Sequence, residues 1–177
     1  MIQDAGSAAH NVTRVLGIDT SLRSTGYGVV ESVGGSLRQV AYGCIRTKPA
    51  WPHSACLLAI QEQLGDVIRE TQPQEISIEG AFYCRNVRTA MTLGEARGVA
   101  IAACAAQGIA VYEYAPRRVK MAVVGVGSAE KEQVMKMVAR LLGLEPNLQL
   151  DAADALALAI THLQQARGIA RSNTKPL

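Results

Sequence analysis

Two short apolar segments of this chain each end on a carboxylate, and that pairing limits the folds open to it. Arg14 to Asp19 reads R-V-L-G-I-D, and Glu75 to Glu79 reads E-I-S-I-E. Both have the length and β-branched content of buried strands. If they are neighbours in one sheet, Asp19 and Glu79 meet at one sheet end, where ligand sites of α/β folds collect.

The remaining pattern supplies the rest of that sheet. Gly26 to Ser32 reads as a second strand, and Gly34-Gly35 turns the chain into a third, Ser36 to Thr47. Pro49 and Pro52 break the chain, and Ala55 to Thr71 then repeats Leu57, Ile60, Leu64, Val67 and Ile68 at helical spacing, up to Pro73. Arg85 to Gln107 is expected as a helix rich in small residues. Gly94, Gly98 and Ala102 share one of its faces, as though another backbone packs close to them. Ile109 to Tyr114 reads as a fifth strand, followed by a short basic helix from Pro116 to Val123. A helix capped by Ser128 and a last helix from Asp151 to Gln165 complete the pattern. The expectation is an α/β fold: a mixed five-stranded sheet, opened by an antiparallel meander, with helices on both faces. One domain is expected over 14–165, between a disordered arm (1–13) and a flexible tail (166–177).

Asp151 and Asp154 lie three apart on the last helix and are the only charges between Leu150 and Ile160. Acids among apolar neighbours must be paired, protonated or bound to metal. Asp151 could instead serve as an N-cap with Asp154 a first-turn dipole partner, and Asp19 could close an Asx-turn. Glu79, at a strand end before Gly80, is harder to explain structurally. No base stands beside any of the four in sequence, so together they point to an oxygen-ligated hard cation, Mg²⁺ or Mn²⁺. Such a site suits phosphodiester cleavage with two ions.

Charge and cysteine usage agree with a nucleic-acid ligand inside a reducing compartment. The formal net charge is only +3, but Arg85 to Arg140 gathers nine basic residues against Glu95, Glu113, Glu130 and Glu132. Cys44, Cys56, Cys84 and Cys104 form no C-x-x-C pair and read as small buried hydrophobes, which disfavours zinc. No signal peptide or membrane-spanning run is visible, so a soluble cytoplasmic protein is expected.

V-L-G-I-D with T-G-Y-G-V-V, I-S-I-E-G-A-F-Y, L-G-E-A-R-G-V-A, V-G-V-G-S-A-E-K and D-A-A-D-A-L-A-L-A-I-T-H together resemble the RuvC family of bacterial Holliday junction resolvases, from Arg14 to Gln165. The resemblance implies an RNase H-like fold and a homodimer on a four-way DNA junction. It implies paired Mg²⁺-dependent nicks leaving 5′-phosphates, and partnership with RuvA and RuvB. By position it implies that Asp19, Glu79, Asp151 and Asp154 are the catalytic, metal-binding acids. Lys120 and Lys131 match bases near the scissile phosphate, and Phe82 matches an aromatic that stacks at the junction. Tyr83, Arg85, Arg88, Arg117 and Arg118 are further candidate DNA contacts, since aromatics beside Arg stack on unpaired bases. Where the family usually has Asp-Pro-Gly, this chain has Asp19-Thr20-Ser21. The competing readings are another RNase H-like nuclease, of the YqgF type that processes RNA, and a junction-binding protein with impaired catalysis. An actin-like ATPase also begins G-I-D, but its phosphate-binding glycine motifs are absent.

Overall fold

The computed structural model describes residues 12–80, 86–167 and 175–177. Strands β1 (Thr13–Asp19), β2 (Ser24–Val33) and β3 (Ser36–Arg46) form the meander. Then follow α1 (His53–Thr71), β4 (Glu75–Glu79), α2 (Val87–Ala105), β5 (Ala110–Tyr114), α3 (Pro116–Val124), α4 (Lys131–Leu142) and α5 (Leu150–Arg167). The sheet order is β3-β2-β1-β4-β5. β1 runs antiparallel to β2 and parallel to β4, and β4 runs parallel to β5, so the sheet is mixed as expected.

Strand alternation sorts the two faces. Leu16, Ile18, Ile76, Ile78 and Val111 pack against α1 and α2 with Ile60, Leu64, Ala96 and Ala100. Val15, Val30 and Tyr114 face α3, α4 and α5 with Val123, Val138, Leu156 and Ile160. Asp19 and Glu79 share the parity of Val15 and Ser77, so both belong to the α5 side. Among the described residues no helix is long and apolar enough to cross a membrane.

Three glycines set how closely α5 approaches. A Cβ at Gly17 would stand 1.9 Å from the Ala155 carbonyl oxygen, and one at Gly26 2.0 Å from that of Asp151. At Gly28 it would stand 2.7 Å from the Leu156 nitrogen. The backbone of α5, rich in Ala on this side, therefore rests directly on β1 and β2.

Several local expectations need correcting. α4 is capped by Glu130, not Ser128: Gln133 Oε1 accepts from the Glu130 N–H at 2.9 Å, and both halves of the capping box are present. Ala129 is buried, its N–H donating to Val126 O, so Ser128 lies in the preceding loop. Lys131 is thus the first residue of α4, not the third. Among the described residues the Gly94-Gly98-Ala102 face meets no other backbone: it is exposed, and α2 packs through Ala96, Ala100, Ala103 and Cys104 instead. Cys56 and Cys104 are buried, but Cys44 is only half-buried, and Cys84 lies outside the described residues. The last three residues do not hang free, since Leu177 N–H donates to Val111 O at 2.9 Å.

Gly17→Ala and Gly26→Ala should each destabilise the protein by about 3 kcal/mol or more in urea unfolding, because a rigid backbone oxygen occupies the space. A loss under about 1 kcal/mol would show that α5 can retreat at little cost.

Candidate active site

Parallel register places Ile18 beside Ile78, so Asp19 and Glu79 follow side by side at the ends of β1 and β4. Asp154 arrives from α5, and the three acids line a cleft of about 160 Å³ with Pro116, Val119, Lys120, Lys131, Val134 and Leu158. Lys131 Nζ donates to Asp154 Oδ2 at 2.7 Å. Asp151 stands one step outside this lining, and its Oδ2 accepts a hydrogen bond from the Ser24 hydroxyl. Its charge nevertheless reaches Asp19. The structure therefore gathers the four sequence-predicted acids around one sheet end, drawn from β1, β4 and α5.

Burial and then the neighbouring Glu79 and Asp154 charges push the Asp19 carboxyl from 3.8 up to about 7, with Lys131 pulling the other way and Asp151 adding to the rise. Burial and Asp154 also push Glu79 up, against Lys131 and Lys120. Lys131 is itself held protonated, chiefly by its bond to Asp154. Glu31 offers the contrast. It is buried, yet Arg14 and Arg38 pair with it at 2.8 and 2.6 Å. The Arg14 hydrogen bond leads in holding its carboxyl below the usual range. Of the cleft acids only Asp154 has a direct cationic partner, Lys131; among the described residues Asp19 and Glu79 form no ion pair.

Among the described residues, no three Asp, Glu, His or Cys side chains already stand close enough to grip an ion. An oxygen-only donor set, short of cationic partners and opening on a shared cleft, fits a hard divalent cation.

The Thr20-Ser21 departure from Pro-Gly carries little backbone cost. Ser21 has no positive φ. Thr25 Oγ1 donates to Ser21 O at 2.6 Å and accepts from Ser21 N–H at 3.3 Å, which holds the turn without proline.

Other predicted contacts scatter around the cleft. Lys120 lines it and is half-buried, whereas Arg117 and Arg88 are exposed. Arg118 turns away: its guanidinium lies 5.4 Å from the Tyr114 ring centroid and bonds Gln165. Phe82, Tyr83 and Arg85 lie outside the described residues. His162 is no metal ligand here, since Nδ1 shares a 2.8 Å hydrogen bond with Tyr114 and Nε2 one of 2.9 Å with Glu75. Ser24 was not singled out by sequence. Its only signal was its place two residues before Gly26, on the same face.

The family model for crossover junction endodeoxyribonuclease RuvC matches residues 15–162. The chain belongs to the RuvC family. As a member it is a nuclease that hydrolyses phosphodiester bonds of Holliday junctions, the crossovers of DNA recombination and repair. It is 48% identical to RuvC of Klebsiella pneumoniae (strain 342) over 89% of this chain and 90% of that one. It is likewise 48% identical to RuvC of Nitratidesulfovibrio vulgaris (strain DP4) over 86% of this chain and 92% of that one. Thermus thermophilus RuvC in complex with a Holliday junction superposes with a TM-score of 0.85 at 34% identity, covering 93% of this chain and 99% of that one. The yeast mitochondrial Holliday junction resolvase shares the fold, with a TM-score of 0.61 at 13% identity, over 88% of this chain and 79% of that one. The sheet and these likenesses give the expected RNase H-like class, and the RuvC match leaves the YqgF-type and ATPase readings without support.

The raised Asp19 pKa has a definite consequence for stability without divalent ions. Its folded value exceeds the unfolded 3.8, so stability should fall as pH rises from there through about 7. Asp19→Asn should flatten that slope and raise Tm at pH 8 in chelator. Equal pH slopes for both proteins would show that Asp19 carries no such repulsion.

Proposed function

We propose that this chain makes paired, symmetric nicks in four-way DNA junctions, with Asp19, Glu79, Asp151 and Asp154 as the catalytic metal ligands. Nucleases of this family are metal-dependent, and the proposed ions are two Mg²⁺ per site, with Mn²⁺ as substitute. The observation that carries this reading is the convergence of four acids from three elements on one sheet end, with one ammonium, that of Lys131, in direct contact.

Bound there, divalent cations supply an activated water and stabilise the charge on the leaving oxygen. The chain's own residues do the rest. Glu79 and Asp19, ending adjacent parallel strands, offer fixed oxygens. Ser24 holds Asp151, and Lys131 holds Asp154 until a ligand draws it off. Lys120 and Lys131 then offset phosphate charge as the strand enters. Water oxygen joins phosphorus, the 3′ oxygen leaves with a proton, and a 5′-phosphate remains. Phe82, with Tyr83, is proposed to stack on bases opened at the crossover. Arg85, Arg88, Arg117 and Arg118 are proposed backbone contacts, although Arg118 would first have to leave Gln165.

Two nicks on one junction call for two sites, and the exposed α2 stripe supports a homodimer. Val87 and Met91 are 72% and 62% exposed and continue the Gly94-Gly98-Ala102 face, where among the described residues nothing stands within 4 Å of a Cβ at either glycine. A second copy packing there would use the close approach that the sequence suggests. Cooperation with RuvA and RuvB, and action in the cytoplasm, follow from the same family reading.

The test is a synthetic four-way junction incubated with and without Mg²⁺ and run on a denaturing gel. Asp19→Asn, Glu79→Gln, Asp151→Asn and Asp154→Asn should each nearly abolish nicking while junction binding persists, because removing negative charge does not weaken phosphate contacts. Wild-type cutting by any of them would remove that residue from the metal site. Binding without nicking by the wild type, in Mg²⁺ and in Mn²⁺, would favour the impaired-catalysis reading. Phe82→Ala should slow cutting by about five- to 150-fold. A junction with unpaired central bases should partly rescue it. A large fall in Tm without rescue would make Phe82 a core residue.

A further inference from the structure

The sequence-predicted basic residues lie between Arg85 and Arg140, on the α2, α3 and α4 side of the acids. The structure places a second group of positive charge on the opposite side. Antiparallel register sets Ser24 directly across from Arg46, and Asp19 across from Gly26. Residues opposite each other on adjacent strands project from the same face. Arg46 therefore leaves the sheet on the face that carries Ser24, Asp19 and Glu79. β3, β2, β1 and β4 are successive strands, so Arg46, Ser24, Asp19 and Glu79 lie across one end of the sheet. Strands stand about 4.8 Å apart, and Arg46 lies two residues beyond Cys44, which is level with Gly26 and Asp19, so the Arg46 backbone stands about 12 Å from that of Asp19.

Arg46 does not stand alone. Arg23 Nη1 donates to the Lys48 carbonyl at 2.8 Å and approaches Cys56 Sγ at 3.2 Å. Thr47 N–H donates to Arg23 O at 3.2 Å, and Trp51 N–H to Lys48 O at 3.0 Å. Lys48 Nζ sits 6.0 Å from the centroid of the half-exposed Trp51 ring. Arg23, Arg46 and Lys48 are all exposed, and among the described residues none of them forms an ion pair. These bonds fix the Arg23 guanidinium and the loop backbone, and the three cations, without ion-pair partners among the described residues, repel one another, which a polyanion would relieve. A fixed corner also loses little conformational freedom on binding.

We propose that Arg46 and Lys48, with Arg23 bracing them, form a second phosphate-binding surface that grips the DNA strand flanking the scissile phosphate, on the β3 side of the site. This rests on the junction-cutting reading above. One strand of duplex carries a phosphate about every 3.4 Å along the axis, so a 12 Å offset reaches roughly three or four phosphates from the one cut. The acids would then lie between two basic banks, one on α3 and α4 and the other on β3 and the loop after it. Cations on both sides draw a strand across a negatively charged centre that would otherwise repel it.

The test measures binding of a synthetic four-way junction in chelator over a range of salt, for wild type, the Arg46→Gln/Lys48→Gln double variant and Arg69→Gln. Arg69 is a control on α1, already paired with Asp66. The double variant should bind more weakly, with a slope of log K against log salt shallower by about two, and Arg69→Gln should match wild type. In Mg²⁺ the double variant should show a raised KM and a kcat near wild type, since neither side chain touches the reacting atoms. An unchanged salt slope would overturn the proposal, as would a lowered kcat with unchanged KM. Failure of the wild type itself to bind the junction would instead sink the underlying functional reading. Both side chains are exposed, and a melting curve within a few degrees of wild type confirms that the fold is kept.

Discussion

The direct seat of α5 on β1 and β2 is the contact on which the site depends. Helix-on-sheet packing normally interposes side chains, yet Gly17, Gly26 and Gly28 remove them where the Asp151 and Ala155 carbonyls arrive. That approach brings Asp154 into the cleft beside Asp19 and Glu79, and brings Asp151 within reach of the Ser24 hydroxyl. A side chain at Gly26 would lift the first turn of α5, and both aspartates with it. The far end of α5 is tied separately, through His162 to Tyr114 and Glu75. The helix is thus fixed at both ends, and its acids inherit that rigidity.

The cost of the arrangement is electrostatic. Burial first, and then the other carboxylates gathered in the cleft, disfavour the Asp19 charge, which is why it is pushed up to about 7. A purely structural acid in this protein looks different: Glu31 has two arginines and holds its proton less tightly. Leaving acids under-compensated lowers the stability of the free protein, and under the proposed function it reserves their oxygens for cations that arrive with or before the substrate. Active sites often keep such strained charge at the expense of stability.

Much of this was legible in the sequence, for identifiable reasons. β1 and β4 announced themselves because burial on both faces demands continuous apolar residues, so an acid at each end stood out. Asp151 and Asp154 stood out because every other residue from Leu150 to Ala159 is Ala or Leu. The start of α4 was misread because Ser128 is a good capping residue by type, whereas burial of Ala129 and the reciprocal Glu130–Gln133 bonds move the cap by two residues. The α2 stripe suggested close packing, yet Gly94 and Gly98 stand open among the described residues, and nothing in the sequence tells whether a partner would lie in the same chain or in a second copy. Ser24 and the Arg46–Lys48 corner were invisible because their roles come from cross-strand register, which pairs positions 22 residues apart and leaves no local periodicity.

The central claim is that the glycine-seated helix turns four separate acids into one divalent-cation site. An anomalous-difference map from crystals grown with a four-way junction and Mn²⁺ tests it most directly. The account predicts two peaks a few ångströms apart, ligated between them by Asp19, Glu79, Asp151 and Asp154. Peaks elsewhere on the protein, or none at the sheet end while the junction is bound, would contradict it.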